Sequence, residues 1–161
     1  MPILLYRVDD RLIHGQVVVG WGAQLQIDYI AVVDDELAAS DWEQDLYRAG
    51  LPDTLEGRFL TVERAVEAIP IWQENPKERG IVLTRDIATV CQLAESGVLQ
   101  GQEINIGGLH DAPGRRRILT YVFLGDDDRR ELIRLGKTGV RVSARDVPNA
   151  RAVELDQLLK S

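Results

Sequence analysis

The chain has 161 residues, 45% hydrophobic and 28% charged, which suits one domain around one sizeable core. A formal net charge of −7 argues against general binding to nucleic acid or an anionic membrane, both of which reward excess Lys and Arg. The single cysteine, Cys91, excludes an internal disulfide and a CxxC zinc pair.

Short β-rich runs alternate with longer segments of helical periodicity. Ile3 to Val8 reads as the first strand, and Gln16 to Leu25 as a helix with Val17, Trp21 and Leu25 on one face. Tyr29 to Val33 is a second strand, ending in Asp34-Asp35-Glu36, and Leu37 to Arg48 is helical. Arg58 to Thr61 is a third strand, followed by a helix over Val62 to Ile69 that Pro70 ends or kinks. Gly80 to Thr84 is nearly all apolar, as a buried parallel strand requires, and Ile87 to Ala94 is its helix. Glu103 to Ile106 is a fifth strand ending in Gly107-Gly108, and Ile118 to Leu124 a sixth. Asp126 to Leu135 is a helix with three aspartates at its positive end, Val140 to Ala144 a last strand, and Val153 to Leu159 a closing helix. The pattern predicts an α/β fold: an open, predominantly parallel twisted sheet with helices on both faces, one domain over residues 1–161. The opening residues turn charged too soon for a signal peptide, and no run of about 18 apolar residues could span a bilayer, so the expectation is a cytoplasmic protein.

In such a fold the reaction site lies at the carboxyl ends of the strands. The densest chemistry there is Arg7-Val8-Asp9-Asp10-Arg11-Leu12-Ile13-His14-Gly15-Gln16. A neutral imidazole is nucleophilic near pH 7, so His14 is suited to accept a phosphoryl group. Arg11 has the planar fork that phosphate oxygens favour, and backbone N–H groups of Gly15 and Gln16, opening a helix, suit the same oxygens. Asp9 or Asp10 would fix the tautomer of His14. Two partners reaching one ring nitrogen would require an exposed His14. Taken alone, the same residues also fit an ordinary loop histidine beside two helix-capping aspartates.

The run from Val8 to Val17, with Trp21 after it, resembles the signature of the IIB component of the mannose/fructose/sorbose-type sugar phosphotransferase system. The resemblance continues through Val32-Val33-Asp34-Asp35-Glu36-Leu37-Ala38, Ile104-Asn105-Ile106-Gly107-Gly108 with His110, and Arg145-Asp146-Val147-Pro148. It implies that His14 receives phosphate from a IIA protein and passes it to a sugar entering through membrane IIC and IID subunits. It further implies supporting roles for Arg11 and Asp10, and for Asp35 on the next strand end, with a cytoplasmic chain held near the inner membrane by its partner subunits. No cofactor or metal is implied, and a homo-oligomer is left open. Two departures bear on sugar range and partner choice: Asp34 stands where the family has Asn, and Thr84-Arg85-Asp86 where members carry a Lys-Thr/Ser-Pro-like turn. A regulatory phosphoprotein using the same His14 relay without transport is the alternative, and a binding domain that has lost phosphotransfer is a third reading.

The remaining candidates read more simply. His110 in its Gly-rich loop, Arg115 to Arg117 as a solvated loop, and Trp21, Trp42 and Trp72 as packing residues need no chemistry. Neither zinc spacing among His14, His110 and Asp35 nor a GxGxxG fingerprint is present.

Overall fold

In the computed structural model, which describes residues 2–160, strands β1 (Ile3–Val8), β2 (Tyr29–Val33), β3 (Glu56–Leu60), β4 (Gly80–Thr84), β5 (Glu103–Ile106) and β8 (Arg141–Ala144) form one parallel sheet. The short β9 (Val153–Glu154) adds antiparallel to β8, giving the order β3-β2-β4-β1-β5-β8-β9. Between them lie α1, which is π-helical over Gln16–Gly22 and α-helical over Ala23–Leu25, then α2 (Asp35–Ala38), α3 (Asp41–Ala49), α4 (Val62–Glu74), α5 (Ile87–Glu95), α6 (Asp126–Gly136) and α7 (Leu155–Leu159).

Strand alternation divides the core between the two faces of the sheet. Tyr6, Val8, Ala31, Val33, Val82, Ile104 and Ile106 face residues of α4, α5, α6 and α7, including Ile69, Leu93, Leu135 and Leu158. Ile30, Val32, Ile81 and Leu83 face Leu12, Ile13, Val17, Trp21 and Leu37 on the other side. Near β5 and β8 that second face turns polar, because Arg7, Asn105 and Ser143 occupy its inward positions and are all buried.

Four expectations need correction. The run from Ile118 to Leu124 is not one sheet strand but an antiparallel hairpin, β6 (Arg116–Leu119) and β7 (Val122–Leu124), outside the main sheet. Its turn at Thr120-Tyr121 carries none of the Gly or Asn that normally marks a two-residue hairpin. The helix expected over Leu37 to Arg48 is two helices, with Asp34 capping α2 through Leu37 N and Ser40 at the N-cap of α3. Pro70 does not end α4, which continues to Glu74; the exposed ring leaves Ile69 buried and Trp72 packed against the core. Val153 and Glu154 are strand, so the last helix starts at Leu155. Among the described residues, no helix is long and apolar enough to cross a membrane.

Candidate functional site

The strand order places the carboxyl ends of β1 and β5 side by side, with the chain leaving them in opposite directions: toward β2 from β1, toward β8 from β5. Such a switch point is where open α/β sheets place their ligands. Backbone bonds tie the β1 loop into it: Asp9 N donates to Thr84 O at 2.9 Å, Asp10 N to Gly108 O at 2.9 Å, and Leu12 N to Asp9 O at 3.0 Å.

Asp9, fully buried, is the centre of the loop. Its Oδ2 accepts from Arg7 Nη2 at 3.1 Å, Arg11 Nη2 at 3.0 Å and Gly108 N at 3.1 Å. Its Oδ1 accepts from Arg11 Nε and Arg11 N, both at 3.1 Å. Burial pushes this carboxyl up, but the Arg11 hydrogen bond, the Arg7 charge and the two backbone N–H groups outweigh it and hold the group below its ordinary value. The Asp9 hydrogen bond in turn holds Arg11 above its ordinary value. Asp9 is thus a fixed anion gripped by two cations.

The His14 ring sits against this cluster, with Nε2 at 3.8 Å from Asp9 Oδ2. Its Nδ1 donates to Leu12 O at 2.8 Å, so neither aspartate fixes the tautomer as expected. A carbonyl only accepts, so Nδ1 carries the proton and Nε2 the lone pair of the neutral ring. Leu12 can present its carbonyl there because it adopts φ 56°, a left-handed conformation unusual for a side chain of its size, while wholly buried. The His14 side chain is only 17% exposed and its Nε2 is shielded from solvent, more closed than two visiting partners would suggest. One edge of the ring lines a shallow groove of about 330 Å³ between α1 and α3, shared with Gly15, Val18, Val19 and Leu46.

The expected site residues do not all converge. Gln16 joins the cluster, its Oε1 accepting from Arg11 Nη2 at 2.9 Å, and Gly15 precedes the π-helical start of α1. Asp10 points away from His14: it accepts from His110 N at 2.8 Å and pairs with the His110 ring, pinning the β5 loop. Asp35 lies elsewhere again, accepting from Val62 N at 2.9 Å at the start of α4. It borders a polar hollow of about 200 Å³ with Asp34, Arg85, Asp86, Thr89 and Gln92. There the two departures from the family pattern meet, because Arg85 Nε lies 3.4 Å from Asp34 Oδ2. The additional charge of Asp34 is therefore paired.

Several supporting residues carried no assigned role in the sequence. Arg7 is buried to 1% exposure, donates to Asn105 Oδ1, Arg145 O (2.8 Å) and Asp146 O (3.1 Å), and stacks 5.2 Å from the Trp21 ring. Trp21 Nε1 also donates to Asp146 O, at 3.2 Å. Gly107 and Gly108 leave room for the two arginines: a Cβ on Gly107 would fall on the Arg7 guanidinium, and one on Gly108 would stand 2.9 Å from Arg11 Nη2. The available signal was Arg7 itself, a charge between buried apolar neighbours on a central strand, which demands a buried partner. Trp42, by contrast, is 70% exposed and does not pack as expected. Arg115 is tied to Asp128 and to His110 O, and Arg116 and Arg117 open β6. Among the described residues no group of His, Cys, Asp and Glu is placed to hold a metal ion.

A strand-end carboxylate gripped by two arginines beside a histidine marks the site of this small, mostly parallel α/β protein. The family model for the PTS system sorbose subfamily IIB component matches residues 3–161, and the chain belongs to that family. It is 34% identical over 149 residues to N-acetylgalactosamine-specific phosphotransferase enzyme IIB component 1 of Escherichia coli K12, covering 91% of each chain. The crystal structure of the IIBSor domain of the sorbose permease from Klebsiella pneumoniae superposes with a TM-score of 0.87 at 29% identity, over 100% of this chain and 98% of that one. The PTS system mannose-specific EIIAB component of Escherichia coli K12 is 28% identical over 162 residues, which span 99% of this chain but 49% of that longer protein.

Proposed function

We propose that the chain is a phosphohistidine carrier: His14 accepts a phosphoryl group from a IIA protein and passes it to a sugar entering through membrane IIC and IID subunits. One observation carries the reading. His14, just past the β1 carboxyl end, rests against a bidentate Arg11–Asp9 pair, in a family of IIB components. The mannose relative whose name joins A and B components in one chain supports a IIA partner. As a cytoplasmic protein, the carrier would meet its acceptor at the inner membrane surface.

The transfer is an exchange of one N–P bond for another. The donor's phosphohistidine N–P bond breaks as a bond forms from phosphorus to a lone-pair nitrogen of His14, and the proton that the His14 ring gives up is matched by the one the freed donor ring takes up. The transition state is loose, so the protein contributes mainly alignment and positive charge. Arg11 supplies the charge, and the free first-turn N–H groups at Gly15 and Gln16 supply further donors. Neither ring nitrogen is open at rest, so the ring must turn into the groove beside Gly15 to meet its partners. In the second step a sugar hydroxyl oxygen bonds phosphorus, the His14 N–P bond breaks, and the hydroxyl proton ends on the freed nitrogen. Asp10 holds the β5 loop rather than the nucleophile, and Asp35 acts in the neighbouring hollow.

Incubation with phosphoenolpyruvate, the general phosphotransferase proteins and the cognate IIA protein should place one acid-labile, base-stable phosphate on the wild-type chain and none on His14→Ala. Absence of label on wild type, with a donor shown to be active, would sink the proposal.

A further inference from the structure

Asp9 has two cationic partners that differ in freedom. Arg7 is sealed, its side chain 0% exposed, held by Asn105 Oδ1, two carbonyls of the Arg145-Asp146 turn and the Trp21 ring. Arg11 is 32% exposed in its side chain and, among the described residues, its side chain is hydrogen-bonded by Asp9 and Gln16 alone. Together the three groups carry one positive charge more than Asp9 neutralises. If Arg11 were the sole counter-ion, turning it toward a phosphoryl group would strand an unpaired carboxylate in the interior, and breaking a buried pair costs more than an exposed contact returns. With Arg7 in place, Asp9 keeps its Arg7 and Gly108 bonds whichever way Arg11 turns.

We infer that Arg7 is a positioning residue for phosphoryl transfer: it is the permanent counter-ion of Asp9 and thereby lets Arg11 exchange that carboxylate for the phosphoryl group on His14. The inference rests on His14 being the acceptor. Arg7 never meets the phosphoryl group. Its contribution is to keep the mobile arginine mobile.

Loading from phosphoramidate, whose N–P bond breaks with ammonia as leaving group, tests the chain's own residues without any protein partner. If wild type fails to load at His14, the carrier reading fails, and that outcome is separate from this one. With wild type loading, folded Arg7→Gln should load about 10-fold more slowly at unchanged phosphoramidate KM, the loss expected when one hydrogen bond to a charged group is withheld. Arg7→Lys, which keeps the charge, should be slowed less. The decisive variant is Arg7→Gln with Asp9→Asn: neutralising Asp9 releases Arg11, so the double variant should load faster than Arg7→Gln alone. A double variant as slow as the single one, or slower, overturns the inference, because a merely structural Arg7 predicts accumulating damage. Should Arg7→Gln fail to fold, arginine side-chain NMR on the wild-type chain decides. Phosphorylation should move the Arg11 Nε–H signal while that of Arg7 stays protected from exchange; an unmoved Arg11 signal, or loss of Arg7 protection, contradicts it.

Discussion

Arg11 grips both oxygens of Asp9 while about a third of its side chain stays at the surface, so one residue is at once an internal tie and an external charge. Removing it takes away the charge offered to the phosphoryl group but leaves Asp9 with Arg7, Gly108 N and the residue-11 backbone N–H. Arg11→Ala should therefore slow loading of His14 by about 100-fold, the usual effect of deleting one preorganised donor to a developing anion. Its unfolding free energy should fall by only about 1 kcal/mol. Rapid-quench loading and urea melts on the same variant check both halves, and collapse of the fold would make Arg11 a structural residue instead. At this scale the motif made His14 and Arg11 legible, because their chemistry is local to one turn. The roles of Arg7 and Asn105 were not, because their contact crosses from residue 7 to residue 105, a distance no spacing pattern conveys. Whether Asp9 or Asp10 faces His14 stays open in the sequence for the same reason: adjacent aspartates at a turn point to different sides, and only the β5 loop determines which one meets His110.

Among the elements, the carboxyl end of β5 is as much a part of the site as the β1 loop. Gly107 matters there for what it lacks, since any Cβ would displace the Arg7 guanidinium. Gly107→Ala should cost about 1–3 kcal/mol of stability, the usual range for overpacking. Gly15→Ala, where a Cβ meets nothing within 4 Å, should stay within about 0.5 kcal/mol. Denaturant melts of the two variants side by side make the comparison, and equal losses would show that Arg7 can move aside. Element types were legible wherever period and punctuation agreed, as at Tyr29–Val33, Gly80–Thr84 and Ile87–Glu95. They were not legible where a special backbone was required without its usual residue. The hairpin turns at Thr120-Tyr121 without Gly or Asn, and Leu12 takes a left-handed φ that Leu seldom adopts. The π-helical turn after His14 has no sequence signal at all, and such turns gather at functional sites.

At the scale of the whole molecule, the sheet order explains why chemistry concentrates at one edge. β1 sends its chain toward β2 and β5 sends its chain toward β8, so the site lies at a switch point of the strand order, where open α/β sheets bind their ligands. The βα alternation made that architecture readable, since buried parallel strands announce themselves as apolar runs. The polar half of one sheet face was the hidden part, because Arg7, Asn105 and Ser143 look like strand exceptions until Arg7 is found bonded to Asn105 and to the Arg145-Asp146 turn. A carrier must both load and discharge, and discharge is the harder requirement. The most direct measurement is therefore a chase: load the chain with radioactive phosphate, remove every donor, then add vesicles bearing its IIC and IID subunits and the sugars named for its relatives. The account predicts that label leaves His14 and appears one for one as a sugar phosphate. Label that stays on His14, or departs only as inorganic phosphate at the rate seen without vesicles, would contradict it.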